Sequence, residues 1–213
     1  MNTVLTDPHK DQPVLFKGES KSPKAGMILI HGRGADAESI LTLTDLFDVK
    51  DFIYAAPQAF NNTWYPYSFL TPISDNEPGI TSGLNKIKTT INSLNEKGID
   101  TGKIFLLGFS QGACLALEYA SRYPQKFGGV IGLSGGLIGP DGLERKQNGS
   151  LIKTKIFIGC SDIDPHIPLQ RVHYTADFLQ QAGGEVIKKI YPNLGHTIND
   201  DELHHINKIM NEV

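Results

Sequence analysis

Several things are scarce in this sequence, and each shortage removes a class of protein. Only two cysteines occur in 213 residues, Cys114 and Cys160. That is too few for a disulfide framework, and they are not spaced as zinc ligands, so both read as reduced, partly buried thiols. No apolar run approaches the roughly 18 residues of a transmembrane helix. There is no block of like charge either: 20 basic against 23 acidic residues leave a formal net charge of -3, which gives no electrostatic footprint for nucleic acid. Residues 1–12 hold Asp7, His9, Lys10 and Asp11 and lack the charged-then-apolar layout of a signal peptide, while Met1-Asn2 is not a myristoylation start. The expectation is a cytoplasmic protein without stable membrane insertion. Repeats, low-complexity tracts and linkers are also missing. Residues 1–213 therefore read as a single domain, long enough to bury one sizeable core.

What is present is an alternation of two patterns. Met27-Ile28-Leu29-Ile30 is a short apolar run between Gly26 and Gly32, as expected of a strand buried on both faces of a parallel sheet. Similar runs at 52–56, 104–107, 130–133, 156–158 and 186–191 predict further strands; the last carries Lys188 and Lys189 and is placed nearer an edge. Between them, Ile80, Leu84, Ile87, Ile91 and Leu94 step by four and three, the stripe of a helix facing the sheet, with Gly98 set to end it. Helices are also predicted at 36–47, 112–122, 168–182 and 200–211. Strands alternating with helices give an α/β class: three layers, a mostly parallel central sheet and helices on both faces. Residues 57–79 break the alternation. They have no period, four prolines and the aromatic set Trp64, Tyr65, Tyr67 and Phe69, and a loop of this length in a compact domain is usually functional.

Gly108-Phe109-Ser110-Gln111-Gly112 follows a predicted strand and opens a predicted helix, the context of a nucleophile elbow. The sharp turn lifts the serine oxygen out of the sheet, and it needs small residues two positions either side. Such a serine is a weak nucleophile until a histidine takes its proton, and in the α/β-hydrolase fold the partners follow in the order serine, acid, histidine. Two later strands end in suitable loops: Cys160-Ser161-Asp162-Ile163-Asp164-Pro165, and Pro192-Asn193-Leu194-Gly195-His196. Each lies past the C-terminal end of a strand, where sites in open α/β sheets are built. Asp164 is preferred over Asp162 because Pro165 stiffens the loop that aims the carboxylate. Of seven histidines, only His196 combines the chain order with a strand-exit loop. The oxyanion needs two backbone donors. Gln111, directly after the nucleophile, supplies one, and Arg33 in His31-Gly32-Arg33-Gly34 is chosen for the other. As backbone donors survive side-chain changes, Gln111→Ala is expected to be mild. Asp162, Asp164 and His166 alternate like metal ligands, but the prolines around them make a loop and no second cluster completes a shell; no metal and no cofactor are expected. The aromatic loop, with Leu137 and Ile138 opposite, is expected to form an apolar pocket for the substrate.

With these motifs in this order, and the Asp164-Pro165-His166-Ile167-Pro168 loop, the chain resembles the phospholipase/carboxylesterase family, which contains bacterial carboxylesterases and acyl-protein thioesterases. The resemblance runs from about Ala25 to the last helix. It implies an α/β-hydrolase fold with no large cap domain, a triad of Ser110, Asp164 and His196, and oxyanion donors at Arg33 and Gln111. It also implies that Trp64 lies beside the acyl cleft; from the aromatic loop and the segment opposite, Tyr65, Phe69 and Leu137 are the further expected substrate contacts. The implied activity is cleavage of acyl esters or thioesters through an acyl-enzyme, and the lack of a long inserted cap predicts a preference for short- to medium-chain acyl groups. The partner is then a small-molecule ester, and the oligomeric state stays open between monomer and homodimer. Two rival readings are a lysophospholipase working on membrane lipids and a non-catalytic binding protein that kept the fold.

Overall fold

The computed structural model describes residues 6–18, 20 and 22–213; Met1 to Leu5, part of the stretch read above for export and lipid signals, lie outside them. Seven strands form one sheet: β1 Val14–Lys17, β2 Ala25–Ile30, β3 Phe52–Pro57, β4 Ile104–Phe109, β5 Gly129–Leu133, β6 Lys155–Ser161 and β7 Glu185–Tyr191. Their spatial order is β1-β3-β2-β4-β5-β6-β7. Only β1 runs antiparallel to its neighbour; every other pairing is parallel. This is the mostly parallel α/β sheet expected from the alternation of strands and helices, in the α/β-hydrolase arrangement that the resemblance implies.

Strand side chains alternate between two cores because the strand period is two. Ile28, Ile30, Leu106, Val130, Ile156 and Ile158 point into one core, shared with α2 Gly79–Glu96, α3 Gln111–Arg122 and α4 Leu169–Gln181. Met27, Leu29, Phe105, Leu107, Ile131 and Phe157 point into the other, shared with α1 Ala37–Leu41 and α5 Asp200–Met210. Burial on both faces is why these strands read as unbroken apolar runs.

The helix ends follow local chemistry. In α2 the predicted stripe is buried along its length. The helix closes with Gly98 at φ 85°, where Gly98 N–H donates to Asn95 C=O and Ile99 N–H to Leu94 C=O. This is a Schellman cap, with Ile99 and Leu94 both buried beside it. The long helix predicted at 36–47 is shorter: α1 ends at Leu41 and 3-10 turns continue to Leu46. β1 was not predicted. It is a four-residue edge strand with Phe16 and Lys17 exposed; its three apolar residues, Val14-Leu15-Phe16, form a run no shorter than the one at 156–158, but it is only half covered. Among the described residues, no helix is long and apolar enough to cross a membrane.

Candidate active site

The loops that follow β2, β3, β4, β6 and β7 all leave the C-terminal edge of the sheet and meet there. At the end of β4, Ser110 sits at φ 55° and ψ -117°, a left-handed conformation a non-glycine residue adopts only under constraint. The flanking glycines are sterically required. A Cβ on Gly108 would lie 2.2 Å from the Gly112 carbonyl oxygen, and one on Gly112 would lie 2.0 Å from that of Ile30. Ser110 N–H donates to Leu133 C=O at 2.9 Å, tying the turn to β5.

His196 Nε2 is 2.9 Å from Ser110 Oγ, and its Nδ1 is 2.7 Å from Asp164 Oδ2. The other carboxylate oxygen of Asp164 accepts the N–H groups of His166 and Ile167 at 2.9 and 3.1 Å. Burial, the largest single influence on Asp164, pushes its carboxyl up. The hydrogen bonds from His196 and the two backbone donors, with the His196 charge, outweigh it, and the net direction is down. The carboxylate therefore stays ionised and holds the proton of His196 on Nδ1, leaving Nε2 free to accept from serine. The imidazole is flanked by the rings of Phe109 and His166, at 5.0 and 4.9 Å. Asp162, the reserve acid, lies elsewhere: its Oδ1 accepts Asn193 N–H at 2.8 Å, stitching the histidine loop to the acid loop. Ser161 Oγ adds to that seam by accepting the N–H groups of Gly195 and Ile163.

Ser110 opens into a cavity of about 520 Å³, lined by Arg33, Tyr65, Phe69, Phe109, Gln111, Cys114, His166, Ile167 and His196 with their neighbours. Among the described residues, the N–H groups of Arg33 and Gln111 have no protein acceptor, and both residues line this cavity. Burial pushes the Cys114 thiol up to about 12, so it forms a neutral part of the wall.

Three expected wall residues, Leu137, Ile138 and Trp64, are not there, and Ile138 is fully buried like its neighbour. Leu137 is fully buried away from the cavity, its backbone fastened by Thr175 and Arg171. Trp64 is also fully buried. Its indole packs between His9 and His31 and donates from Nε1 to His31 C=O at 2.9 Å. It backs the cleft instead of facing it. Aromatic or aliphatic character marks a residue for burial, and it carries no information on which side of a loop the ring falls.

The expectation for Gln111→Ala also needs correcting. The Gln111 side chain, 6 % exposed, accepts Trp64 N–H at 2.9 Å and donates to Tyr65 C=O at 2.8 Å. Its amide holds the aromatic loop beside Ser110, and truncation leaves two buried backbone groups unpaired. The histidine of the oxyanion loop has a comparable duty. His31 Nε2 accepts Ala59 N–H, which assigns the proton to Nδ1, donated to Gly32 C=O. Among the described residues, no cluster of His, Cys, Asp and Glu has the arrangement of a metal site.

The profile of the Phospholipase/Carboxylesterase family matches residues 13–213. A crystal structure of a phospholipase/carboxylesterase from Dyadobacter fermentans is similar at 36% identity and a TM-score of 0.88, covering 94% of this chain and 96% of that one. Acyl-protein thioesterase 1 of Saccharomyces cerevisiae is 37% identical over 143 residues, which are 66% of this chain and 61% of the yeast protein. A probable carboxylesterase of Oryza sativa subsp. japonica is 28% identical over 84% of this chain and 73% of its own length. The match thus spans about three fifths of the yeast relative.

Proposed function

The chain belongs to the phospholipase/carboxylesterase family, and on that premise we propose that it is a serine carboxylesterase that hydrolyses short- to medium-chain acyl esters or thioesters. The observation that carries this reading is the unbroken relay from Ser110 Oγ through His196 to Asp164. Ser110 Oγ attacks the acyl carbonyl as its proton passes to His196 Nε2, and Asp164 steadies the imidazolium. The carbonyl oxygen, now an alkoxide, is held by the N–H groups of Arg33 and Gln111. Collapse breaks the bond to the leaving group, which departs with the proton from His196 and leaves an acyl-serine. A water then gives its proton to His196 and attacks the same carbonyl. The Oγ–C bond breaks, the proton returns to serine and the acid is released.

Tyr65 and Phe69 give the acyl chain an apolar wall, and the absence of a large inserted cap domain from the described fold favours short and medium chains. As part of the same proposal the protein acts in the cytoplasm on small-molecule esters. The test is intact-mass analysis after fluorophosphonate treatment of wild type and Ser110→Ala, beside turnover of p-nitrophenyl acetate, butyrate and octanoate. Stoichiometric labelling and turnover, both lost in the variant, support the reading. No labelling of the folded wild type sinks it, and rates that keep climbing to octanoate reject the chain-length claim.

A further inference from the structure

The chain has four arginines. Three are paired with carboxylates: Arg122 and Arg145 with buried Glu118, and Arg171 with Asp141. Arg33 alone has no carboxylate partner among the described residues, and it stands at the rim of the catalytic cavity. Its guanidinium is fixed in place, since Nη1 donates to Pro66 C=O and Nη2 to Tyr67 C=O, both at 2.7 Å. Its carbon lies 6.0 Å from the centre of the Tyr65 ring. Pro66, Tyr67 and Tyr65 all line the same cavity. These bonds use two donors of the planar fork. Nε–H and one hydrogen on each Nη have no protein partner among the described residues, and the side chain is exposed.

The rest of the wall gives this charge nothing to neutralise it. Among the described residues no Asp or Glu lines the cavity, and the Asp164 carboxylate is fully buried behind His196. A fixed, half-satisfied guanidinium in a cleft without acidic side chains is suited to a planar anion, which it binds through paired N–H donors. The same residue supplies the proposed oxyanion N–H, and Arg33 and Ser110 line one cavity, so a group bound by its side chain shares the cleft with the reacting carbonyl.

We propose that Arg33 recognises an anionic group of the substrate, and that the esters this cleft prefers carry a carboxylate or phosphate near the scissile bond. This rests on the hydrolase reading above and narrows it to a substrate class.

The test compares matched esters that differ in charge: ethyl butyrate against monoethyl succinate for the acyl side, and phenyl butyrate against 3-butyryloxybenzoate and the butyryl ester of 3-hydroxyphenyl phosphate for the leaving side. Values of kcat/KM are measured for wild type, Arg33→Lys and Arg33→Gln. All three keep the backbone N–H, so the quantity read is the ratio of anionic to neutral ester. Wild type is expected to favour the anionic ester in at least one set by about five- to tenfold, the scale of one charge-assisted contact at a partly exposed site. Arg33→Gln should bring that ratio to about one and Arg33→Lys should keep part of it. Salt at about 0.5 M should erode it in wild type. The leaving-side set distinguishes carboxylate from phosphate. Equal ratios in wild type and Arg33→Gln overturn the proposal. So does a uniform fall on every ester, which would mark Arg33 as a strap for the aromatic loop only. Turnover of neutral esters alone rejects the anion while leaving the hydrolase standing, whereas no turnover of any ester by the folded wild type removes both.

Discussion

The two sides of the cavity are built differently. On the oxyanion side, the loops after β2 and β3 are pinned by buried side chains bonded to backbone: His31 to Ala59, Gln111 to Trp64 and Tyr65, Asn76 to Tyr67 and Ser68, and His9 to Phe60 and Trp64. On the acid and histidine side, the loop after β6 is mostly exposed and the loop after β7 mostly half-buried, and buried Ser161 and exposed Asp162 do most of the joining. Water can replace a bond lost on the second side and has no access to most of those on the first. The oxyanion side should therefore act as a rigid template, and the histidine side as a lighter assembly held in register by a few bonds.

The largest expected effect lies in the relay itself. Asp164→Asn should keep the fold and reduce turnover by about ten-thousandfold, because an amide in place of the carboxylate favours the wrong imidazole tautomer. Steady-state kinetics beside circular dichroism reads this, and a loss under tenfold would mean that His196 is oriented by something else. Gln111→Ala comes next. It leaves two buried backbone groups unpaired and should cost about 4 kcal/mol of stability, measured by urea unfolding, with KM rising as the aromatic loop loosens. A cost below 1 kcal/mol would deny that this side is a rigid template.

Glu202 separates the regions by pH. This side chain is fully buried in α5, with Oε2 accepting Asn199 N–H and Oε1 unpaired against Gly159. Burial pushes its carboxyl from 4.5 up to about 7. Between those values the folded state binds more protons than the unfolded one, so this group makes stability fall as pH rises through the window, by about 3 kcal/mol in all. Glu202→Gln keeps an acceptor for the cap and removes the proton. Its Tm should therefore exceed that of wild type at about pH 8 by more than at about pH 5. A constant difference across that range would contradict a neutral buried carboxyl. The smallest effect is expected from Ser161→Ala, whose hydroxyl is buried but whose partners are on exposed Ile163 and half-buried Gly195. It should cost about 1 kcal/mol, and a cost as large as that of Gln111→Ala would erase the contrast between the two sides.

Much of this organisation was legible in the residue order. The central strands declared themselves because a parallel strand covered on both faces must be apolar at every position, as Met27 to Ile30 are. The places of Ser110, Asp164 and His196 followed from chain order and strand exits. The edge strand β1 carries only the three-residue mark Val14-Leu15-Phe16, and half of the strand faces water. Trp64 and Leu137 were assigned to the cavity on type alone, and tertiary packing turned both away from it.

The sequence by itself determined the alternation of elements, the tight turn at Ser110 and the order of the groups in the relay, because these depend on local sterics and on a period of side-chain burial that neighbouring residues carry together. Tertiary structure alone decided that the Gln111 and Arg33 side chains bond to the backbone of the aromatic loop, and that Arg33 is left without a carboxylate among the described residues. Those bonds join residues 33 to 47 positions apart, and whether a side chain finds a partner over such a separation depends on how the loops pack, which no local pattern encodes.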